Sequence, residues 1–338
     1  MSHAADTSAD PETDLVTGSA GNPAKNPDPA KGPEASPRRA FRPLVFGETL
    51  FDHFPDGTRA LGGAPFNVAW HLHGFKALPL LVTRIGKDAE GREIQDRMGE
   101  WGMDLRGIQS HPHRPTGKVT VELEAGDARF RIEAKQAYDE IEAGRLPPPG
   151  VVADADLLYH GTLALREQVS RQALSRLREM AGAPILVDVN LRDPWWTRDT
   201  VAWTLKGAHW AKMNDQEAAV LADLPGGSDD EILQAAGRIR DRHRIGYLIV
   251  TLGSRGALGL SAAGAVRQDA PEVSEVVDTV GAGDAFSAVV ALGIHFAWPM
   301  DLTLRRAADF AADICRIRGA TLDDPEMYAR YLRSWNHG

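Results

Sequence analysis

From residue 42 onward, short apolar runs alternate with longer stretches that carry helical spacing. PLVFGE (43–48), LPLLVTRIG (78–86), DLLYHGT (156–162), PILVDVN (184–190), AHWAKMN (208–214) and YLIVTLG (247–253) are runs bounded by turn residues. Each predicts a strand covered on both faces. ALGLS (257–261) and SEVVDTV (274–280) predict two more strands. APFNVAWHLHGF (64–75) and DAEGREIQDRMGEW (88–101) predict helices, GAGDAFSAVVALGIHFA (281–297) predicts a long apolar one, and the C-terminal part is helical. Strands and helices alternating at this spacing imply right-handed crossovers and a doubly wound, mostly parallel α/β sheet flanked by helices.

One segment breaks the rhythm. GKVTVELE (117–124) and ARFRIE (128–133) alternate apolar and polar positions around an Ala-Gly-Asp turn. That pattern predicts a hairpin with one exposed face, forming a small appended sheet. Such a sheet can pair with its copy across a two-fold axis, so a homodimer through residues 117–133 is expected. Residues 1–40 hold almost no bulky apolar side chains. They cannot bury enough surface to offset their ordering entropy and are expected to form a disordered tail before a single domain over 41–335.

Composition narrows the partners. The 338 residues are 43% apolar and 25% charged, ordinary for a globular protein, and the net charge of -9 disfavours nucleic acid and anionic membranes. No run approaches the roughly 18 apolar residues of a membrane span, and no basic-then-apolar signal pattern opens the chain. Cys315 is the single cysteine. It excludes a disulfide framework within one chain and reads as a small buried hydrophobe, so a reducing cytoplasm is the expected compartment. His71 and His73 fall two apart on a helix, facing different ways. Neither HExxH nor paired cysteines nor a Gly-x4-Gly-Lys-Ser/Thr loop is present.

The strongest chemical signal is DTVGAGDAFSA (278–288). Read as strand, Gly-Ala-Gly turn and helix start, it brings bare backbone N–H groups and the positive end of a helix dipole to one point. That is an anion site suited to a transferring phosphoryl group. Asp284 in the first helical turn stands where a base can take a proton from an attacking hydroxyl, although Asp also favours helix N-termini for electrostatic reasons alone.

With this string, the chain resembles the ribokinase-like sugar kinases, the PfkB carbohydrate kinase family, over roughly residues 42–332. The fold implied is ribokinase-like, with a small β-sheet lid from about 50–62 and 113–135. The resemblance implies ATP and Mg²⁺ as cofactors, and admits K⁺ in the loop before Asp278. It makes Asp284 the base and the amides of Gly281, Ala282 and Gly283 the anion hole.

GGAPFNVAWHLHGFK (62–76) resembles the family's glycine-pair motif, which places Gly62, Gly63 and Asn67 on the sugar. Asp52, just beyond the first strand, matches the sugar-binding carboxylate, with Glu48 as its near alternative. Arg131 and Tyr138 in the lid segment are further candidates for sugar contact. Nucleotide contacts are implied for Asn190, Asn214, Glu217, Thr251, Gly253 and Gly256, with Glu217 reaching the metal through water.

Asn214 and Glu217 also fit a capping box, and both readings can hold together. Arg192 in DVNLRDPWW offers a planar cation for phosphate or simply ends a strand. GGAPFNVA with DVNLRDPWW is fructokinase-like, so the expected reaction is phosphorylation of fructose to fructose 6-phosphate. Alternatives are 2-keto-3-deoxygluconate, ribose or a nucleoside, or a regulator that binds sugar or nucleotide without turnover.

Overall fold

The computed structural model describes residues 39–124, 127–224 and 226–336. The chain divides after Arg39, and every element below lies in the unit Ala40–Gly338. The expected tail and the turn at 125–126 lie outside the described residues.

In chain order the strands are β1 (Pro43–Phe46), β2 (Leu50–His53), β3 (Arg59–Gly62), β4 (Leu80–Gly86), β5 (Ile108–His111), β6 (Gly117–Glu124), β7 (Asp127–Ile132), β8 (Leu157–His160), β9 (Ile185–Asp188), β10 (Trp210–Asn214), β11 (Tyr247–Thr251), β12 (Ala257–Ser261) and β13 (Gly264–Gln268). The helices are α1 (Ala64–Gly74), α2 (Ala89–Trp101), α3 (Pro149–Ala153), α4 (Gln168–Ala181), α5 (Arg198–Leu205), α6 (Asp215–Ala222), α7 (Asp229–His243), α8 (Ala282–His295), α9 (Met300–Ile314) and α10 (Pro325–Asn336).

Nine strands form the main sheet in the order β13-β12-β11-β10-β9-β8-β1-β4-β5. Pairing is parallel from β11 to β5 and antiparallel only at the β11–β12–β13 edge. The apolar runs explain this: β1, β8 and β9 are buried at every position, so both faces must be covered. On one face α1, α8, α9 and α10 contribute Phe66, Leu72, Val289, Leu292, Phe310 and Tyr328. On the other, α4 to α7 contribute Leu174, Leu177, Leu205, Leu221 and Ile239. Parallel strands bring the carboxyl ends of β1, β8, β9, β10 and β11 to one edge, where open α/β sheets gather their ligands.

A second sheet, β3-β2-β6-β7, stands apart. Its register pairs Asp52 with Val119 and Val119 with Ile132, so these three share a face with Leu50. That face packs on Tyr138, Leu163, Ala164 and Trp195 and so closes over the carboxyl edge of the main sheet. Thr120 pairs with Arg131, one position along, on the opposite face.

One expectation from the sequence needs correction here. Residues 274–280 form no strand but an irregular loop, and a short strand at 264–268 takes the edge instead. Val276, Val277 and Val280 are 57%, 53% and 43% exposed, so the apolar alternation there faces solvent. Among the described residues no helix is long and apolar enough to cross a membrane.

Helix α1 carries part of the site, and its far end is fixed by α10. A Cβ on Gly74 would stand 2.6 Å from ring atoms of Tyr328. That ring is fully buried, with its hydroxyl bonded to His71 Nδ1 at 2.9 Å and donating to the Leu322 carbonyl at 3.2 Å. Helix propensity favours Ala over Gly by about 1 kcal/mol, less at a helix end. Overpacking a filled core costs about 1–3 kcal/mol. The ring has nowhere to go, so Gly74→Ala is expected to lower stability by about 1–2 kcal/mol in urea unfolding. A midpoint equal to or above the parent's contradicts this packing.

Candidate active site

The site is organised by the start of α8. Gly281 caps the helix at φ 81°, and a Cβ there would lie 2.4 Å from Ala320. Both the left-handed backbone and the close approach demand glycine. The Gly281 carbonyl accepts from Asp284 N (3.0 Å) and Ala285 N (2.9 Å). The Ala282 amide donates to Thr279 O at 3.3 Å, whereas among the described residues no backbone carbonyl takes the amides of Gly281 or Gly283. Of the three amides expected to form the anion hole, the Ala282 N–H is therefore turned into the preceding turn. The loop entering the helix is held by Cys315 O, which accepts from Val277 N and Asp278 N. The Asp278 carboxylate accepts from Val280 N and Gly319 N.

Beneath this turn lies a buried charged cluster. Lys212 Nζ, from the middle of β10, donates to Asp188 Oδ2 at 2.9 Å and to the Gly283 carbonyl at 3.1 Å. The Ser287 hydroxyl donates to the same two acceptors at 2.8 and 3.0 Å, and the Tyr159 hydroxyl reaches Asp188 Oδ2 at 3.2 Å. Burial works against the Lys212 ammonium, but Asp188 beside it holds its pKa above the ordinary lysine value. These bonds tie the carbonyl of Gly283 to the sheet and thereby set the direction of the first helical turn.

Asp284 accepts a hydrogen bond from Asn67 Nδ2 at 2.7 Å, which joins α1 to α8 across 217 residues of sequence. Loss of hydration pushes its carboxyl up to about 6. Asn67 and the Lys212 and Arg192 cations pull it down, and Asp188 pushes it up. Asp52 is raised to about 6 by burial, opposed by Arg192. Glu48, 4% exposed, is raised to about 7 by burial. Its own backbone amide pulls it down, Asp284 pushes it up, and Arg192 and Arg166 pull it down. Arg192 thus faces three carboxyls at once.

Gly63, at φ 107°, passes close to the Glu48 carbonyl, with a built Cβ only 2.7 Å from that oxygen. A Cβ on Gly62 would point at Asn67 and Asp52 from 3.8 to 3.9 Å, so its absence leaves open the space between those two side chains.

The remaining sequence candidates lie along the carboxyl edge. Asn214 caps α6, its Oδ1 accepting from Glu217 N at 2.8 Å, while Glu217 accepts from Asn214 N at 2.8 Å and from Leu191 N at 2.6 Å. Both oxygens of Glu217 therefore already serve backbone amides, one lone pair each. Asn190 follows β9 with φ 40°, and the Thr251 hydroxyl donates to Met213 O at 3.4 Å. Gly253 and Gly256 close a tight turn, Gly256 N donating to Gly253 O at 3.1 Å. Among the described residues no group of three or more His, Cys, Asp or Glu could hold a metal ion.

Arg131 is the candidate the geometry removes. It sits on the lid face opposite Asp52, 61% exposed, paired with Glu122 and Glu133 at 3.2 Å each. Strand alternation sends it outward. The sequence reading passed over Asp188, Lys212, Ser287 and Arg166. A signal was present, since a charged residue inside an otherwise apolar strand needs a buried partner.

A ribokinase-like α/β kinase architecture is shared with solved structures. The chain superposes on a fructokinase with bound ATP from Xylella fastidiosa at TM-score 0.75 and 20% identity, covering 87% of this chain and 99% of that one. It superposes on Arabidopsis thaliana ribokinase complexed with ribose and ATP at TM-score 0.74 and 22% identity, over 87% and 99%. In sequence it is 29% identical to a Klebsiella pneumoniae fructokinase over 267 residues, 74% of this chain and 83% of the relative. The family model for pfkB family carbohydrate kinases matches residues 44–327, and the chain belongs to that family. It is a carbohydrate kinase, a phosphotransferase acting on a sugar hydroxyl.

The Lys212–Asp188 pair gives a test of what holds the site. Both side chains are under 10% exposed. Removing one partner strands the other charge, which costs about 3–5 kcal/mol, whereas replacing both is far milder. Lys212→Met is expected to lose most of that range in urea unfolding, and Lys212→Met with Asp188→Leu to recover over half of it. Additive losses in the double variant contradict a coupled pair.

Proposed function

We propose that the chain transfers the terminal phosphoryl group of ATP to fructose, giving fructose 6-phosphate and ADP. The observation that carries this reading is Asp284 in the first turn of α8, hydrogen-bonded to Asn67 and next to the amides of Gly281 and Gly283. A sugar held by Asp52, Asn67 and the Gly62–Gly63 turn presents its hydroxyl to Asp284. The carboxylate takes the proton as the oxygen attacks phosphorus, and the amides with the helix dipole stabilise the charge on the transferring group. Arg192, facing Asp52, Glu48 and Asp284, is placed to offset charge between sugar and phosphate.

Asn190, Asn214, Thr251, Gly253 and Gly256 line the route along the carboxyl edge where the nucleotide lies. Mg²⁺ would supply charge neutralisation on the phosphates, and Glu217 and Asn214 are the residues that would hold it. A K⁺ ion in the loop before Asp278 and a dimer through the outer lid face, residues 117–133, belong to the same reading. Fructose is the proposed acceptor because GGAPFNVA and DVNLRDPWW are fructokinase-like and the Klebsiella relative, 29% identical, is named a fructokinase. The lid excludes water, so ATP is kept for the sugar.

Three outcomes are expected. Among fructose, ribose, 2-keto-3-deoxygluconate and adenosine, fructose gives the highest kcat/KM in ADP release, and a clear win for another acceptor replaces the substrate while leaving the kinase intact. Asp284→Asn lowers kcat by about a thousandfold or more, with ATP affinity held within a few-fold; near-parent turnover removes Asp284 as the base. The pH dependence is signed. Asp284 works ionised and its pKa is raised to about 6, so kcat falls on the acid side through that pH. Asn67→Ala deletes a bond that favours the carboxylate, and moves this acid limb up by about one pH unit at saturating sugar. A limb that stays put or moves down contradicts the assignment.

A further inference from the structure

Buried polar atoms without a protein partner are uncommon, since each unmade hydrogen bond costs about 1–3 kcal/mol. Glu48 Oε2, Tyr138 Oη and Arg166 Nη1 are three such atoms, two beyond the carboxyl ends of the neighbouring strands β1 and β8 and one packed beneath the lid, and together they form one wall. Glu48 follows β1, Arg166 follows β8, and Tyr138 lies in the turn Ala137–Glu140 beneath the lid. The Arg166 guanidinium sits 5.2 Å from the Tyr138 ring centre and 4.3 Å from that of Trp195. Its charge is felt by both the Glu48 carboxyl and the Tyr138 phenol.

What this wall recognises follows from its charge. Arg166 is already neutralised: Nε and Nη2 donate to Asp139 at 2.6 and 2.8 Å, Nη2 also donates to the Glu133 carbonyl at 2.7 Å, and the two side chains are 5% and 0% exposed. The remaining Nη1 is a donor without net charge to offer. A carboxylate ligand here would meet Glu48 and gain no unpaired cation from Arg166, while Arg192 already stands against the three carboxyls of Glu48, Asp52 and Asp284. Hydroxyl groups donate and accept at once, and so satisfy a carboxyl, a phenol and a guanidinium N–H together.

We propose that Glu48, Tyr138 and Arg166 form a hydroxyl-reading wall that holds the non-reacting end of an uncharged sugar and disfavours a sugar acid. The inference rests on the sugar kinase reading and narrows its substrate class. Glu48 and Tyr138 are then specificity residues whose unpaired atoms are satisfied by the substrate.

The test is sugar binding by calorimetry in the absence of nucleotide, with the full chain. The Tyr138 hydroxyl has no hydrogen-bond partner among the described residues, so Tyr138→Phe should unfold at the parent's midpoint or above. Its affinity for the best neutral sugar among fructose, ribose and adenosine should nevertheless fall by about tenfold, with KM for ATP unchanged. Glu48→Gln, which keeps size and shape, should weaken the same sugar in the same direction. The parent should bind that sugar at least about tenfold tighter than 2-keto-3-deoxygluconate.

Sugar affinity within twofold of the parent in both variants overturns the wall, as does tighter binding of the sugar acid or no binding of any neutral sugar by the parent. Because this readout needs no phosphoryl transfer, the two readings part company. A protein that binds neutral sugar through these residues yet leaves ATP intact keeps the wall and refutes the transfer.

Discussion

A buried ammonium–carboxylate pair in the middle of the main sheet underlies the whole site. Lys212 and Asp188 lie on neighbouring parallel strands, paired in register, and both reach upward to α8. Their shared acceptor and donor work is completed by Ser287 and the Gly283 carbonyl, so the helix cannot turn without breaking charged hydrogen bonds in a dry interior. Such bonds are among the strongest a protein makes, and most costly when half broken. The first turn of α8 inherits that rigidity. Asp284 and the free amides then hold a direction set by the sheet, which is what a site must have before its substrates arrive.

Charge balance follows from the same pair. Asp284 stands among carboxyls from three other elements, Glu48, Asp52 and Asp188, and among cations on β10 and on the loop after β9. Loss of hydration alone would favour the neutral acid. Asn67, Lys212 and Arg192 pull the carboxyl back towards ionisation, so that it changes charge just below neutrality, where a base works best. The lid completes the arrangement from above, apolar on its inner face at Leu50, Val119 and Ile132, with Asp52 the carboxyl placed among them.

Much of this was legible in the sequence, for identifiable reasons. Continuous apolar runs such as LPLLVTR and YLIVT must be buried on both faces, which dictates a parallel sheet, and the alternation at 117–133 can only be a sheet with one covered face. The string GAGDAF concentrates several constraints in a few residues, and Gly281 shows why: no side chain fits against Ala320. Other features were hidden. Val276, Val277 and Val280 read as a strand because alternation does not reveal that a loop is pinned by the carbonyl of Cys315, far along the chain. Arg131 read as a sugar contact because period-two alternation does not say which face is inward; only the register with Thr120 does. A charge inside an apolar strand marks Lys212 and Asp188 as needing a partner, but which partner, tens of residues away, no local pattern displays, and Arg166 carries no such mark.

On the proposed reading a sugar hydroxyl, not water, receives the phosphoryl group. The most direct measurement follows the terminal phosphoryl of labelled ATP in a single turnover with fructose and Mg²⁺, separating sugar phosphate from inorganic phosphate. The account predicts that nearly all the label appears in a hexose monophosphate and that omitting the sugar leaves ATP almost untouched. Label released chiefly as inorganic phosphate, at a rate indifferent to sugar, would contradict it.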